Sequence, residues 1–166
     1  MNDDILKKAR HLVSKSETTN PFRIAGDTGA EVKFYDLGNL KGMYACIKRN
    51  RFIVINNRLD EYTQRVVCAH ELGHDQLHRD LAKDTWLREF MIYNMNNRTE
   101  YEANVFASEV LLPSGEILEL ATQGFDIEQI AREMCSDVNL VALKLAALSQ
   151  QGYKLRQFES RSDFLR

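Results

Sequence analysis

The 166-residue sequence is short of several things, and each shortage excludes something. It has three cysteines, Cys46, Cys68 and Cys135, widely spaced and without a CxxC pair. That excludes a disulfide framework and a thiolate zinc site, and leaves small buried hydrophobes in a reducing compartment. No run approaches the roughly 18 apolar residues of a membrane span. The start, Met1-Asn2-Asp3-Asp4-Ile5, lacks the apolar stretch of a signal peptide. A cytoplasmic protein without membrane association is expected. Positive charge is not in excess: 22 Lys and Arg against 24 Asp and Glu give a net charge of −2. A strong global pull on nucleic acid is therefore not expected. There are no internal repeats or low-complexity linkers. The two prolines, Pro21 and Pro113, each fall at a predicted helix end.

What is present suits an ordinary globular chain. Hydrophobic residues make up 44% and charged residues 28%, enough apolar material for a core that needs no metal to form. Ile5, Ala9, Leu12 and Val13 predict a helix over 2–19, ended by Asn20-Pro21. A glycine-rich stretch from Gly26 to Gly29 leads into predicted strands 31–36, 43–48 and 51–56. Arg49-Asn50 is the expected hairpin connection, because Asn tolerates positive φ. These predict a small antiparallel sheet of about three strands.

A long helix is predicted over 61–79 with Asp60 as N-cap. Segment 80–98 reads two ways: Trp86, Leu87, Phe90 and Met91 as one helical face, Asn94, Asn96 and Asn97 as loop. A helix over 99–112 is stopped by Pro113, and a short one follows over 114–123. Two more follow Gly124, the first opened by an Asp126/Gln129 capping box, the second capped by Ser136 or Asp137. The fold class is α+β. The expected organisation is a core over 1–115, a helical accessory region over 116–152 and a tail over 153–166. The accessory helices are spaced somewhat like a helix-turn-helix. Lys144 is the one basic residue in 137–151, however, so direct DNA binding is not expected.

The chemistry concentrates in His70-Glu71-Leu72-Gly73-His74. On a helix, residues i and i+4 are neighbours, so His70 and His74 can share one zinc ion. Glu71 lies beside that stripe, placed to reach water at the metal as a general base. Gly73 sits on the buried side at a cost of about 1 kcal/mol against alanine. It implies close approach of another backbone, for which strand 51–56 is the candidate. Catalytic zinc sites keep three protein ligands and one open position. Histidines are scarce: His11 and His78 are the only others. A carboxylate is thus expected, Glu100 by its place on the 99–112 wheel, with Glu102 the fallback. Asn104, one turn after Glu100, can accept the ring N–H of a ligating histidine. His78, Tyr93 and Tyr101 are candidate donors to a developing oxyanion, and His78 is also a candidate supporting group.

These residues in this order, continued by Leu77-His78, Glu100-x-Glu102-Ala103-Asn104-x-Phe106-Ala107 and Leu111-Leu112-Pro113, resemble the ImmA/IrrE metallopeptidases over about 20–115. The resemblance implies a zincin-like domain with one Zn2+ per chain. It implies His70, His74 and Glu100 as ligands and Glu71 as catalytic base. It further implies a cytoplasmic endopeptidase that cleaves helix-turn-helix repressors and so derepresses their genes. The other reading is a non-catalytic, metal-containing regulator that binds a repressor or toxin partner. The intact Glu71 stands against it, since a structural metal site needs no base.

Overall fold

The computed structural model describes residues 2–80, 86–89 and 98–155. The chain divides into two compact units, Met1–Leu111 and Leu112–Arg166.

In the first unit, α1 (Asn2–Ser16) is amphipathic and buries Ile5, Leu6, Ala9 and Leu12. Helix α1 ends at Ser16, before the expected stop at Asn20-Pro21, and that dipeptide instead opens a second helix, α2 (Pro21–Asp27). The Asn20 side chain accepts from the Phe22 N–H, and Pro21 takes the first helical turn, where a missing N–H costs nothing.

Strands β1 (Ala30–Tyr35), β2 (Gly42–Ile47), β3 (Asn50–Asn56) and β4 (Trp86–Glu89) form one sheet in the order β1-β3-β2-β4. The sheet is mixed where an antiparallel one was expected, because β1 pairs with β3 in parallel. The connection between β1 and β2 carries the chain past β3's place in the sheet. Buried Asn56 pins this connection by donating to the Gly38 and Leu40 carbonyls at 3.0 and 2.7 Å. The β2–β3 hairpin turns at Lys48-Arg49, one residue earlier than expected, with Ile47 facing Asn50. Both turn residues have positive φ, 48° and 70°, as a two-residue hairpin twisted to match its strands requires. At 86–89 the chain is a strand antiparallel to β2, so the helical reading fails there. Residues 81–85 and 90–97, Tyr93 among them, lie outside the described residues.

Helix α3 (Glu61–Leu77) starts where Asp60 accepts from the Thr63 N–H at 2.9 Å. From Val66 to Asp75 every residue is buried, so the helix is enclosed and not merely faced on one stripe. It packs between the sheet, on β2 and β3, and helix α4 (Arg98–Leu111). Gly73 makes the α3–α4 approach possible: a Cβ there would lie 3.0 Å from Ala103 Cα and 3.1 Å from its carbonyl oxygen. The backbone that needs this glycine is therefore α4, and not strand 51–56. A helix meets a helix closely only where a side chain is missing, whereas the sheet stands off by the length of its own side chains.

The second unit comprises α5 (Ser114–Thr122), α6 (Ile127–Glu133) and α7 (Val138–Gln150). The expected capping box is present at Asp126/Gln129, and Asp137 caps α7. Among the described residues, no helix is long and apolar enough to cross a membrane.

Candidate metal centre

Helix α3 brings His70 and His74 onto one face, and α4 brings Glu100 against them. One ligand-type atom from each lies within 4.8 Å of the others, and all three residues are buried. His70 Nε2 and His74 Nε2 are 3.1 Å apart. Glu100 Oε2 is 3.3 Å from the former, and its Oε1 is 3.5 Å from the latter. Ligand atoms around a tetrahedral ion at ~2.0–2.1 Å stand about 3.3 Å from one another. The two imidazole nitrogens and the Glu100 carboxylate, which turns a different oxygen to each, thus lie at the spacing that ligands of one such ion would have.

The protons support the same conclusion. His70 Nδ1 faces the Asn104 side-chain oxygen at 2.9 Å, an acceptor, so Nδ1 carries the hydrogen. Nε2 of His70 then presents a lone pair. His74 is held neutral: burial pushes its pKa down to about 4, against the opposing pull of Glu100. His70 Nε2, His74 Nε2 and the Glu100 carboxylate converge on one point. Such a group could hold a cation, and a His/His/carboxylate set suits zinc.

Glu71 is buried at 1% exposure, and its Oε1 lies over Gly42 at the start of β2. A Cβ at Gly42 would come within 2.4 Å of Val67 Cγ1, 3.1 Å of that oxygen and 3.2 Å of the Val54 carbonyl. Gly42 thus leaves the space that Val67 and, beside it, Glu71 occupy. Nothing in the sequence marked this glycine, because Glu71 is 29 residues away and the contact is tertiary.

The other expected residues fall as follows. Asn104 reaches His70 as anticipated. Glu102 does not join the His70/His74/Glu100 group; its Oε2 lies 3.0 Å from His78 Nε2, and Arg98 donates to its Oε1 at 2.8 Å. Burial raises the Glu102 pKa, but the hydrogen bonds from Arg98 and His78 outweigh it and leave the carboxyl below its ordinary value. His78 is the buried C-cap of α3, with Nδ1 3.0 Å from His74 Nδ1. The Tyr101 hydroxyl accepts from Asn2 of α1 at 3.0 Å. His11 is exposed on α1. Burial, and secondarily the Glu71 charge, push the Cys68 thiol well above its usual range, so it is no nucleophile.

One further group escaped the sequence. Asp75, fully buried next to His74, takes two hydrogen bonds from Arg51 Nη1 at 2.8 and 3.1 Å. Arg51 also donates to the Thr28 carbonyl, and Gly29, at φ 82°, leaves room for its guanidinium. The Tyr44 phenol faces the same carboxylate; burial first, then that charge, push its pKa up. This cluster ties the α3 helix to β3, β2 and the end of α2. An alternation of acid and base spaced 24 residues apart carries no local signal.

Known proteins match this chain over most of its length. The IrrE N-terminal-like domain, a peptidase family, matches residues 25–146. "Uncharacterized immunity region protein 2" of Bacillus phage phi105 is 35% identical over 123 residues, 74% of this chain and 77% of that protein. "Metallopeptidase ImmA" of Bacillus subtilis (strain 168) is 29% identical over 133 residues, 76% of this chain and 75% of that protein. With a family match over most of the chain and a site of metal-ligating geometry at its centre, the chain belongs to the ImmA/IrrE metallopeptidases.

Proposed function

We propose that this metallopeptidase is a zinc-dependent endopeptidase acting in the cytoplasm on a helix-turn-helix transcriptional repressor, whose cleavage frees the repressed genes. The observation that carries the hydrolytic part is the convergence of His70, His74 and Glu100 on one point, next to the buried carboxylate of Glu71. The repressor part draws on the relatives, one named a metallopeptidase and the other named for a phage immunity region.

In this reading His70 Nε2, His74 Nε2 and a Glu100 oxygen hold one zinc ion. When bound, zinc supplies Lewis acidity, which makes water easier to deprotonate and polarises a peptide carbonyl. Glu71 takes a proton on its carboxylate from the attacking water and passes it to the leaving amide nitrogen. Asn104 holds the His70 ring by its Nδ1–H, so that Nε2 stays directed at the ion. Burial limits bulk water at both imidazoles and keeps His74 neutral and able to ligate. Direct DNA binding has little support, since Lys144, the one basic residue of the α7 segment, is buried.

Glu71→Gln tests the reading. It should retain one zinc per chain by elemental analysis. It should yield no product from a panel of helix-turn-helix repressors of the same genome, while the wild type yields two fragments by mass spectrometry. A Glu71→Gln protein cleaving at the wild-type rate removes Glu71 as the base. A zinc-loaded wild type that leaves every repressor intact removes the substrate class.

A further inference from the structure

His74 is not held as His70 is. The His70 ring ends on a neutral amide, Asn104, whereas His74 Nδ1 meets a second imidazole, His78 Nδ1, at 3.0 Å. His78 Nε2 in turn meets Glu102 Oε2 at 3.0 Å, and Arg98 Nε holds the other oxygen of that carboxylate at 2.8 Å. His74 and His78 are buried, and Glu102 is largely so.

The two ends of the row assign the hydrogens. A carboxylate only accepts, so His78 Nε2 carries the hydrogen and donates to Glu102. In the zinc reading His74 Nε2 is a ligand and carries no hydrogen, so His74 Nδ1–H donates to His78 Nδ1 and His78 Nε2–H to Glu102. His74 Nε2 is left with its lone pair toward His70 Nε2 and Glu100, the direction in which a ligand must point.

We propose that His78 and Glu102 are positioning residues that fix the tautomer and ring angle of His74 through a directional His74-His78-Glu102 hydrogen-bond row. The proposal rests on the zinc reading above. It also removes His78 from the oxyanion donors, since both of its ring nitrogens are engaged. The negative end at Glu102 makes the His74 imidazole a stronger electron donor than a ring ending on an amide. Groups in this role commonly change metal affinity 10–100-fold when lost. The sequence spacing is the signature of the device: His78 is one turn beyond His74 on α3, and Glu102 is two residues past Glu100 on α4. The same pair of helices thus supplies both ligands and supports.

The test is zinc affinity, measured by competition with a chromophoric chelator, together with the visible absorption of the cobalt-substituted protein. His78→Phe, which keeps the ring and loses both nitrogens, should weaken zinc binding about 10–100-fold and shift the cobalt bands. Glu102→Ala should weaken it in the same direction. The double variant should be no weaker than His78→Phe alone, because the two act in series. His78→Gln, with an acceptor and a donor on one side chain, should recover part of the loss. Wild-type affinity and an unchanged cobalt spectrum in His78→Phe overturn the row while leaving the metal centre standing. Full additivity in the double variant overturns the link through His78 to Glu102. If circular dichroism shows His78→Phe unfolded, Glu102→Ala at the edge of the site decides, and unchanged affinity there overturns the proposal. A wild type that takes up no metal overturns the zinc reading and the row with it.

Discussion

Adding side-chain atoms at Gly73 probes how the site is assembled, because this residue lies between the helix that carries the two histidines and the helix that carries Glu100. In Gly73→Ala the new Cβ lies 3.0 Å from Ala103 Cα, 3.1 Å from its oxygen and 3.3 Å from its Cβ. Ordinary contact begins near 3.4 Å, so α3 and α4 must part by about 0.4 Å. The substitution gains about 1 kcal/mol of helix propensity. It loses about 1–3 kcal/mol to overpacking. The apoprotein should therefore lose between about 0 and 2 kcal/mol and stay folded. The metal site tolerates less, since ligand distances hold only within about 0.2 Å. Zinc affinity should fall about tenfold in Gly73→Ala. In Gly73→Val, which adds two methyls against backbone, it should fall far more. Chelator competition reads the affinity, and thermal unfolding of the metal-free proteins reads the fold. A folded Gly73→Val protein with wild-type zinc affinity refutes the claim that helix separation sets the ligand spacing.

Other expectations follow from neighbouring features. Arg51→Ala should cost about 1–3 kcal/mol in urea denaturation, since buried Asp75 loses two charged hydrogen bonds and keeps only Gln76 and the more distant Arg79; a double variant with Asp75→Ala should cost much less than the two single changes together, and simple additivity refutes the pairing. Gly42→Val should press on Glu71 and cut peptide cleavage at least about tenfold while zinc content stays at one per chain; an unchanged rate shows that the base needs no such space. The metal-free protein should lose stability in acid through His74. Its folded pKa of about 4 lies below the ~6.5 of an unfolded histidine, so the unfolded chain binds the extra proton. The contribution is complete above pH 6.5 and declines as pH falls toward 4, by about 3 kcal/mol in all. Unfolding free energies that stay level from pH 7 to pH 5, where few carboxylates titrate, contradict it.

The legible part of the molecule is the part written locally. Asp60 before α3, and Asp126 with Gln129 before α6, signal helix starts within four residues, and each stands where the spacing put it. His70 and His74 are one turn apart, so any helix brings them together. Asn20-Pro21 shows the limit of local signals: it was read as the stop of α1, which ends earlier at Ser16, and its role as the start of α2 was missed. Lys48 and Arg49 have no preference for positive φ, so the hairpin placed its turn through strand register and not through composition. What depends on distant pairing was hidden. The parallel β1–β3 ladder, the Arg51–Asp75 pair, the Glu71–Gly42 approach and the Gly73–Ala103 contact each join positions that no window contains.

The enclosure of α3 has a consequence for which ions the centre admits. Ten consecutive residues, Val66 to Asp75, are buried, so the two histidines have little room to shift to suit a visitor. The site behaves as a gauge with fixed jaws. Calcium, which takes six to eight oxygens at about 2.3–2.6 Å, would have to lever two packed helices apart to fit. In the proposed zinc site, selection against such ions would come from the packing of Gly73 on Ala103, one layer beneath the proposed ligands.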